Sequence, residues 1–92
     1  MMEVATMESK AVEFSIQMPF AKEVGVAGNF NHWNPASTPL KKDRTGLWKG
    51  TINLPPGRYE YHFVADGQWI KDNSVPNTEP SQYGPTNTVL RV

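Results

Sequence analysis

The sequence predicts an all-β sandwich made of short antiparallel strands. Several stretches alternate between apolar and polar residues with a period of two, the pattern of half-buried strands. Turn-forming residues, including eight prolines and seven glycines, separate these stretches. No stretch longer than a few residues has the 3.6-residue period of an amphipathic helix. Regularly spaced strands with turns between them are typical of a sandwich, and no internal repeat or second domain is evident.

The first strand is predicted at Lys10–Met18, where apolar residues occupy every second position. Pro19 ends it, because proline has no backbone N–H to give to a sheet. Residues 1–9 show no clear period and are predicted to be a flexible leader, which leaves residues 10–92 as the domain.

The pattern of alternation returns briefly at Val24 and Val26, before Gly28. The stretch 29–46 contains two prolines and many small polar residues and is predicted to be a loop. A further strand follows at 48–54. Within it Trp48 is in register with apolar residues, so it is predicted to belong to the core.

The strand that follows the Pro55-Pro56-Gly57 turn runs over residues 58–65 and leads into Asp66-Gly67, a signal for a two-residue type I′ hairpin. This turn predicts four cross-strand pairs: Ala65 with Gln68, Val64 with Trp69, Phe63 with Ile70, and His62 with Lys71.

Cross-strand partners share a face of the sheet. Phe63 and Ile70 form the natural core face, with Tyr59 and Tyr61 on the same side. Trp69 is therefore expected on the opposite, solvent-exposed face, near His62 and Lys71. A slip of one residue would reverse this assignment.

A second polar loop is predicted over residues 72–85 and a last strand over 86–92. Asn87 would then lie at the start of the last strand, after Thr86. Tyr83 lies in the loop, where both an exposed binding role and a packing role remain open.

Composition excludes several functions. The chain of 92 residues has nine Lys+Arg and nine Asp+Glu, which argues against a nucleic-acid or anionic-membrane partner. It has no cysteine, and its two histidines lack metal-site spacing, so neither a metal nor another cofactor is expected. No signal peptide, membrane span or glycosylation sequon is found, and a cytoplasmic location is expected.

Trp33 and Trp69 are the candidate binding residues, because each lies beside a turn signal and near amide or imidazole side chains. A pyranose ring presents C–H groups that suit the negative face of an indole, and hydroxyls that suit polar neighbours. For Trp33 the local pattern leaves two alternatives, exposed binding or plugging of the loop, a task that Phe30 could also perform.

Three segments carry a resemblance to a known family: Val24-Gly25-Val26-Ala27-Gly28-Asn29-Phe30-Asn31-His32-Trp33, the run from Leu54 to Trp69, and Ser81-Gln82-Tyr83-Gly84-Pro85-Thr86-Asn87-Thr88. Together they resemble the glycogen-binding domain of the AMP-activated protein kinase β subunit. More widely, they are similar to family 48 carbohydrate-binding modules and to the N-terminal early-set domains of isoamylase and branching enzymes. The resemblance covers roughly residues 10–92.

The resemblance implies an immunoglobulin-like early-set sandwich that binds α-1,4-linked glucans such as glycogen or starch. It implies that Trp33 and Trp69 stack on glucose rings and that Asn87 forms hydrogen bonds with sugar hydroxyls. His62 stands where the kinase-subunit pattern has lysine, and Tyr83 where it has leucine. Both substitutions bear on affinity and preferred chain length.

Three of the polar positions have alternative interpretations. Asn87 is either a sugar contact or a polar residue at the start of the last strand. His62 is either a ligand contact or a filler on an exposed face. Lys71 either adds a hydroxyl contact or is a solvated lysine at the end of its strand.

Three functions compete at this point. The first is a non-catalytic α-glucan-binding module. The second is a glycosidase, which needs two carboxyls about 5–10 Å apart across a cleft; Asp66 and Asp72 are instead explained by turn chemistry, and so small a domain leaves no room for a cleft. The third is an interaction module with a vestigial sugar site that acts through a protein partner carrying an enzymatic activity.

Overall fold

The computed structural model describes residues 9–73 and 87–92, and within them the fold is an antiparallel β-sandwich. The strands are β1 (Lys10–Gln17), β2 (Val24–Gly28), β3 (Lys41–Lys42), β4 (Leu47–Leu54), β5 (Arg58–Ala65), β6 (Gln68–Ile70) and β7 (Thr88–Arg91), with a 3-10 turn at Pro35–Ser37. The predicted all-β class is confirmed. Tyr83, nearly all of the predicted leader and most of the 72–85 loop lie outside the described residues.

One sheet has the strand order β1-β4-β3, and the other is built around β5. On one side β5 pairs with β2. On the other side it changes partner: Arg58–Tyr61 pair with β7, whereas Phe63–Ala65 pair with β6. His62 lies between these two pairings, at the point where β6 and β7 meet along β5.

The core lies between the two sheets and is rich in aromatic residues. Phe14 of β1 contacts Tyr61 of β5 edge-to-face, with ring centroids 4.9 Å apart. Phe63 is fully buried. Trp48 is buried as predicted, and its indole N–H donates to the Met18 carbonyl oxygen at 2.8 Å, so its one polar atom is satisfied.

The stretch 29–46, predicted as loop throughout, contains the 3-10 turn and β3. The reason for β3 is Asp43, whose carboxylate accepts hydrogen bonds from the Thr45 N–H (2.8 Å) and hydroxyl (2.6 Å). These bonds lower the pKa of Asp43, the hydroxyl bond contributing most. The turn folds Lys41 and Lys42 back onto β4.

No helix within residues 9–73 and 87–92 has the length and apolar character needed to cross a bilayer.

Candidate functional site: a tryptophan–histidine–tryptophan stack

The β5–β6 hairpin places Trp69 on the outer face of its sheet. Asp66 and Gly67 have φ angles of 50° and 82°, as a type I′ turn requires. Three predicted pairs are confirmed: Ala65 with Gln68, Val64 with Trp69, and Phe63 with Ile70. The fourth predicted pair is not part of the observed ladder, because β6 ends at Ile70. Trp69 is 67% exposed, as predicted.

The hairpin tip is fastened to the turn before β2. The Asp66 carboxylate accepts hydrogen bonds from the backbone N–H groups of Lys22 (2.9 Å) and Glu23 (2.8 Å). The backbone N–H of Asp66 donates in turn to the Glu23 carbonyl at 2.9 Å. This carboxylate is therefore engaged in turn structure, in line with the sequence interpretation.

The sequence indicated a turn role for Asp72, but the structure gives this residue a different one. It is buried, and its carboxylate accepts a hydrogen bond of 2.5 Å from the hydroxyl of Tyr61. Burial, together with this bond and the negative charge of Asp72, raises the pKa of Tyr61 well above its usual value. The pair anchors the chain just beyond β6.

Trp33 is positioned by the loop that leaves β2, and the side chain of Asn31 holds that loop in shape. Its amide oxygen accepts from the Gly28 N–H at 3.0 Å, while its NH₂ donates to the Val26 carbonyl at 2.8 Å and to the Thr38 hydroxyl at 3.0 Å. The backbone N–H of Trp33 donates to the Gly28 carbonyl at 2.9 Å. Sequence reasoning missed Asn31, because nothing in its pattern separates it from the other polar residues of the loop.

The same loop holds two consecutive non-glycine residues in the left-handed region. His32 has φ of 57° and Trp33 has φ of 60°. Each such residue costs on the order of 1–3 kcal/mol unless its surroundings enforce the conformation. The Asn31 hydrogen bonds supply that enforcement, and they turn the Trp33 indole onto β5.

Phe30 is the residue that plugs the loop. Its ring stacks on Phe14 of the core, with centroids 5.8 Å apart, and it contacts Tyr59 edge-to-face. Trp33 is left to cover the outer face of the sheet, where it is half-buried.

His62 lies between the two candidate tryptophans. Its ring stacks on Trp33, with centroids 5.6 Å apart, and on Trp69, with centroids 4.3 Å apart; both interplanar angles are 28°. The sequence predicted the correct face for His62 but the wrong exposure, because the residue is only 1% exposed. The cause is the Trp33 loop, which folds over this face from a distant part of the sequence.

Asn87 completes the cluster from the residue before β7. Its amide oxygen accepts from Nδ1 of His62 at 2.8 Å, so Nδ1 carries a proton. Nε2 of His62 is buried and has no hydrogen-bond partner within residues 9–73 and 87–92. Asn87 itself is buried, with 4% of its surface exposed.

The other two predicted site residues are placed less closely. Lys71 directly follows β6 and is half-buried. Tyr83 lies outside the described residues. Within the described part of the chain, no group of three or more His, Cys, Asp or Glu side chains is arranged to hold a metal ion.

The backbone next to His62 is fixed by Glu60 and Asn29. The Asn29 side chain accepts from the Glu60 N–H at 3.2 Å, and its own backbone N–H donates to the Glu60 carbonyl at 3.1 Å. The Glu60 carboxylate is fully buried and forms an ion pair with Arg58 at 2.9 Å. The start of the Trp33 loop is thus bonded to the strand that carries His62.

The fold and the stack define an antiparallel β-sandwich domain with an aromatic cluster on the outer face of one sheet. A model of the family described as the glycogen recognition site of AMP-activated protein kinase matches residues 12–92, and the chain belongs to this family of non-catalytic carbohydrate-binding domains. The resemblance seen in the sequence is confirmed.

Several curated relatives of the chain are subunits of that kinase. The chain is 38% identical over 71 residues to 5'-AMP-activated protein kinase subunit beta-2 of Mus musculus and of Homo sapiens, an alignment that covers 77% of this chain and 25% of each relative. It is 37% identical over 71 residues to subunit beta-1 of Sus scrofa, covering 77% of this chain and 55% of that protein. The chain thus spans about a quarter of the mouse and human subunits.

Proposed function

We propose that the chain binds α-1,4-linked glucans such as glycogen, starch and maltooligosaccharides, without catalysis, by stacking sugar rings on Trp33 and Trp69. The observation that carries the proposal is the exposed Trp69 indole, which lies in one stack with His62 and Trp33. Family membership supports the same ligand class.

The surface character of the site predicts weak binding. Two stacking aromatics and a few hydrogen bonds on an open face correspond to a Kd of about 10 μM to 1 mM, or roughly −4 to −7 kcal/mol. Attachment at several points along one glycogen particle would strengthen this. Hydrogen bonds from Tyr83 and Lys71 to sugar hydroxyls form part of the proposal, whereas Asn87, only 4% exposed, contributes by holding His62.

Titration with maltoheptaose, followed by tryptophan fluorescence and calorimetry, tests the proposal, together with native gels that contain glycogen. We expect saturable binding and retardation of the protein. Trp69→Ala is expected to abolish both and leave the fold intact. The matched control is Phe20→Ala, because Phe20 is also an exposed aromatic (96%) but does not contact the stack. Absence of binding by the unaltered protein at millimolar sugar would refute the proposal.

A second candidate, a protein-interaction module with a weak sugar site, is favoured by Phe20 itself. Its ring borders a groove of about 420 Å³ with Met18 and Ile70. The partner would be a protein that carries enzymatic activity, since the relatives are subunits of a kinase. If this candidate is correct, Phe20→Ala will weaken partner binding, whereas Trp69→Ala will not.

The proposal places the chain in the cytoplasm, with no metal or other cofactor. The complete lack of cysteine fits a reducing compartment.

A further inference from the structure

The structure assigns to His62 the role of a positioning residue, which sets the separation and tilt of the Trp33 and Trp69 indoles. His62 does not itself touch the sugar. This inference rests on the proposed function, since it explains how the two stacking surfaces are held.

Burial excludes His62 from direct sugar contact. The side chain is 1% exposed, because the Trp69 and Trp33 indoles are both stacked on its ring. A sugar hydroxyl can reach Nε2 only if an indole moves away. The sugar is left with the indole surfaces that do not pack on the imidazole.

The orientation of the imidazole is fixed at its edge. The hydrogen bond from Nδ1 to Asn87 prevents the ring from turning about its Cβ–Cγ bond, so its faces stay directed at the indoles. The two stacked indoles confine the ring as well, so a flat ring that lacks this hydrogen bond would still set the angle between them. The two interplanar angles of 28° are the result of this restraint.

The backbone of His62 is fixed as well. Tyr61 pairs with Thr88, Phe63 pairs with Ile70, and His62 itself faces Ala27 of β2. Ala27 therefore shares the outer face of the sheet with His62. The imidazole is therefore a spacer on a rigid strand. The distance between the two indole centroids cannot exceed the sum of their distances to the imidazole centroid.

A lysine at this position could not perform this role. An ammonium group on a flexible stem can reach a hydroxyl but cannot fix the angle between two rings. Histidine lacks the hydrogen bond that an ammonium group would donate to a sugar hydroxyl, but it supplies a flat, rigid spacer. Affinity then depends on stacking more than on a charged contact.

Two substitutions separate a spacer from a sugar ligand. His62→Phe keeps a flat ring but removes both nitrogens, whereas His62→Ala removes the spacer. Calorimetry with maltoheptaose is expected to show His62→Phe within about threefold of the unaltered Kd and His62→Ala weaker by about tenfold or more, where tenfold corresponds to about 1.4 kcal/mol. The indole N–H resonances of Trp33 and Trp69 are expected to stay near their original positions in His62→Phe and to move in His62→Ala.

Several outcomes would overturn the inference. If His62→Phe binds as weakly as His62→Ala while its indole resonances are unchanged, the imidazole is a direct sugar ligand. If folded His62→Ala retains full affinity, the residue serves stability alone. Should His62→Ala fail to fold, ¹⁵N spectra of the imidazole in the unaltered protein decide: a large shift of Nε2 on addition of maltoheptaose contradicts a spacer, and an unchanged Nε2 supports it.

The same experiment distinguishes this inference from the proposed function. Failure of the unaltered protein to bind maltoheptaose rejects the function. Binding by the unaltered protein combined with loss in His62→Phe rejects only the spacer.

Discussion

The two faces of the β5 sheet are equally buried around the middle of β5, but they are buried by different means. On the inner face, Tyr61 and Phe63 are covered by the hydrophobic residues of the sandwich core, with Phe14 packed against Tyr61. On the outer face, Glu60 and His62 are covered by a polar loop and by two indoles. The inner cover is a layer of regular structure, whereas the outer cover is the proposed ligand platform itself.

This difference shows that burial on the outer face has a separate purpose. The inner face buries apolar area and stabilises the fold. The outer face buries groups that hold other groups in place: an ion pair, an amide and an imidazole. Substitutions on the inner face are therefore expected to act on stability, and those on the outer face on binding.

The largest expected effect is on the inner face. Phe63→Ala leaves a cavity among closely packed rings and is expected to lower the free energy of unfolding by about 3–5 kcal/mol in urea titrations. Trp69→Ala, on the outer face, removes an exposed side chain and is expected to change it by less than about 1 kcal/mol. Equal losses of stability in the two variants would break the distinction between the faces.

Asn31→Ala is expected to have the next largest effect, because it removes three buried hydrogen bonds that shape the Trp33 loop. We expect a loss of about 2–4 kcal/mol in unfolding free energy, together with weaker maltoheptaose binding. The control is Asn34→Ala, which loses one exposed bond, to the Ala36 N–H. Unchanged sugar affinity in a folded Asn31→Ala variant would show that the loop does not need this anchor.

Tyr61→Phe tests the anchor that follows β6. Loss of the hydrogen bond to Asp72 is expected to cost about 1–2 kcal/mol at neutral pH. The raised pKa of Tyr61 means that the folded protein keeps this proton after the unfolded chain has released it. Stability from this group is therefore present below about pH 10 and falls as the pH rises further.

Urea midpoints measured between pH 8 and 11 check this sign. The midpoint of the unaltered protein is expected to fall more steeply with pH than that of Tyr61→Phe. Parallel curves would mean that other groups cause the alkaline loss.

The smallest effect is expected at His32, an exposed residue in the left-handed region. Glycine adopts this conformation without strain, so His32→Gly is expected to be about 1 kcal/mol more stable than the control His32→Ala in thermal melts. The reverse order would indicate that the His32 side chain supports the loop in another way.

Local patterns in the sequence were enough to predict the hairpin. The Asp66-Gly67 turn determines the pairing of Val64 with Trp69, and alternation assigns Trp48 to the core. Both predictions depend on neighbours that are close in sequence, or on periodicity within one strand. The family resemblance favoured binding at Trp33, where the local pattern left two alternatives open, and it added Asn87.

The parts that could not be predicted depend on contacts between distant segments. The burial of His62 requires the Trp33 loop and the β6 hairpin to close over it from two directions. The anchoring role of Asn31 depends on Thr38 and on the backbone of Val26 coming within reach of one amide. β3 forms because the Asp43 turn returns it to β4. The alternation of apolar and polar residues and the turn-forming residues contain no information about contacts between distant segments.

The bonds at the tip of the β5–β6 hairpin have a thermodynamic consequence for ligand capture. Because the Asp66 carboxylate holds the backbone of Lys22 and Glu23, the strand that bears Trp69 cannot swing as a flap. Little conformational entropy then remains to be lost when a sugar arrives, which is the advantage of preorganisation. Association would proceed without an opening step, and the amide protons of Lys22 and Glu23 would exchange with solvent at the same rate in the free and the sugar-bound protein.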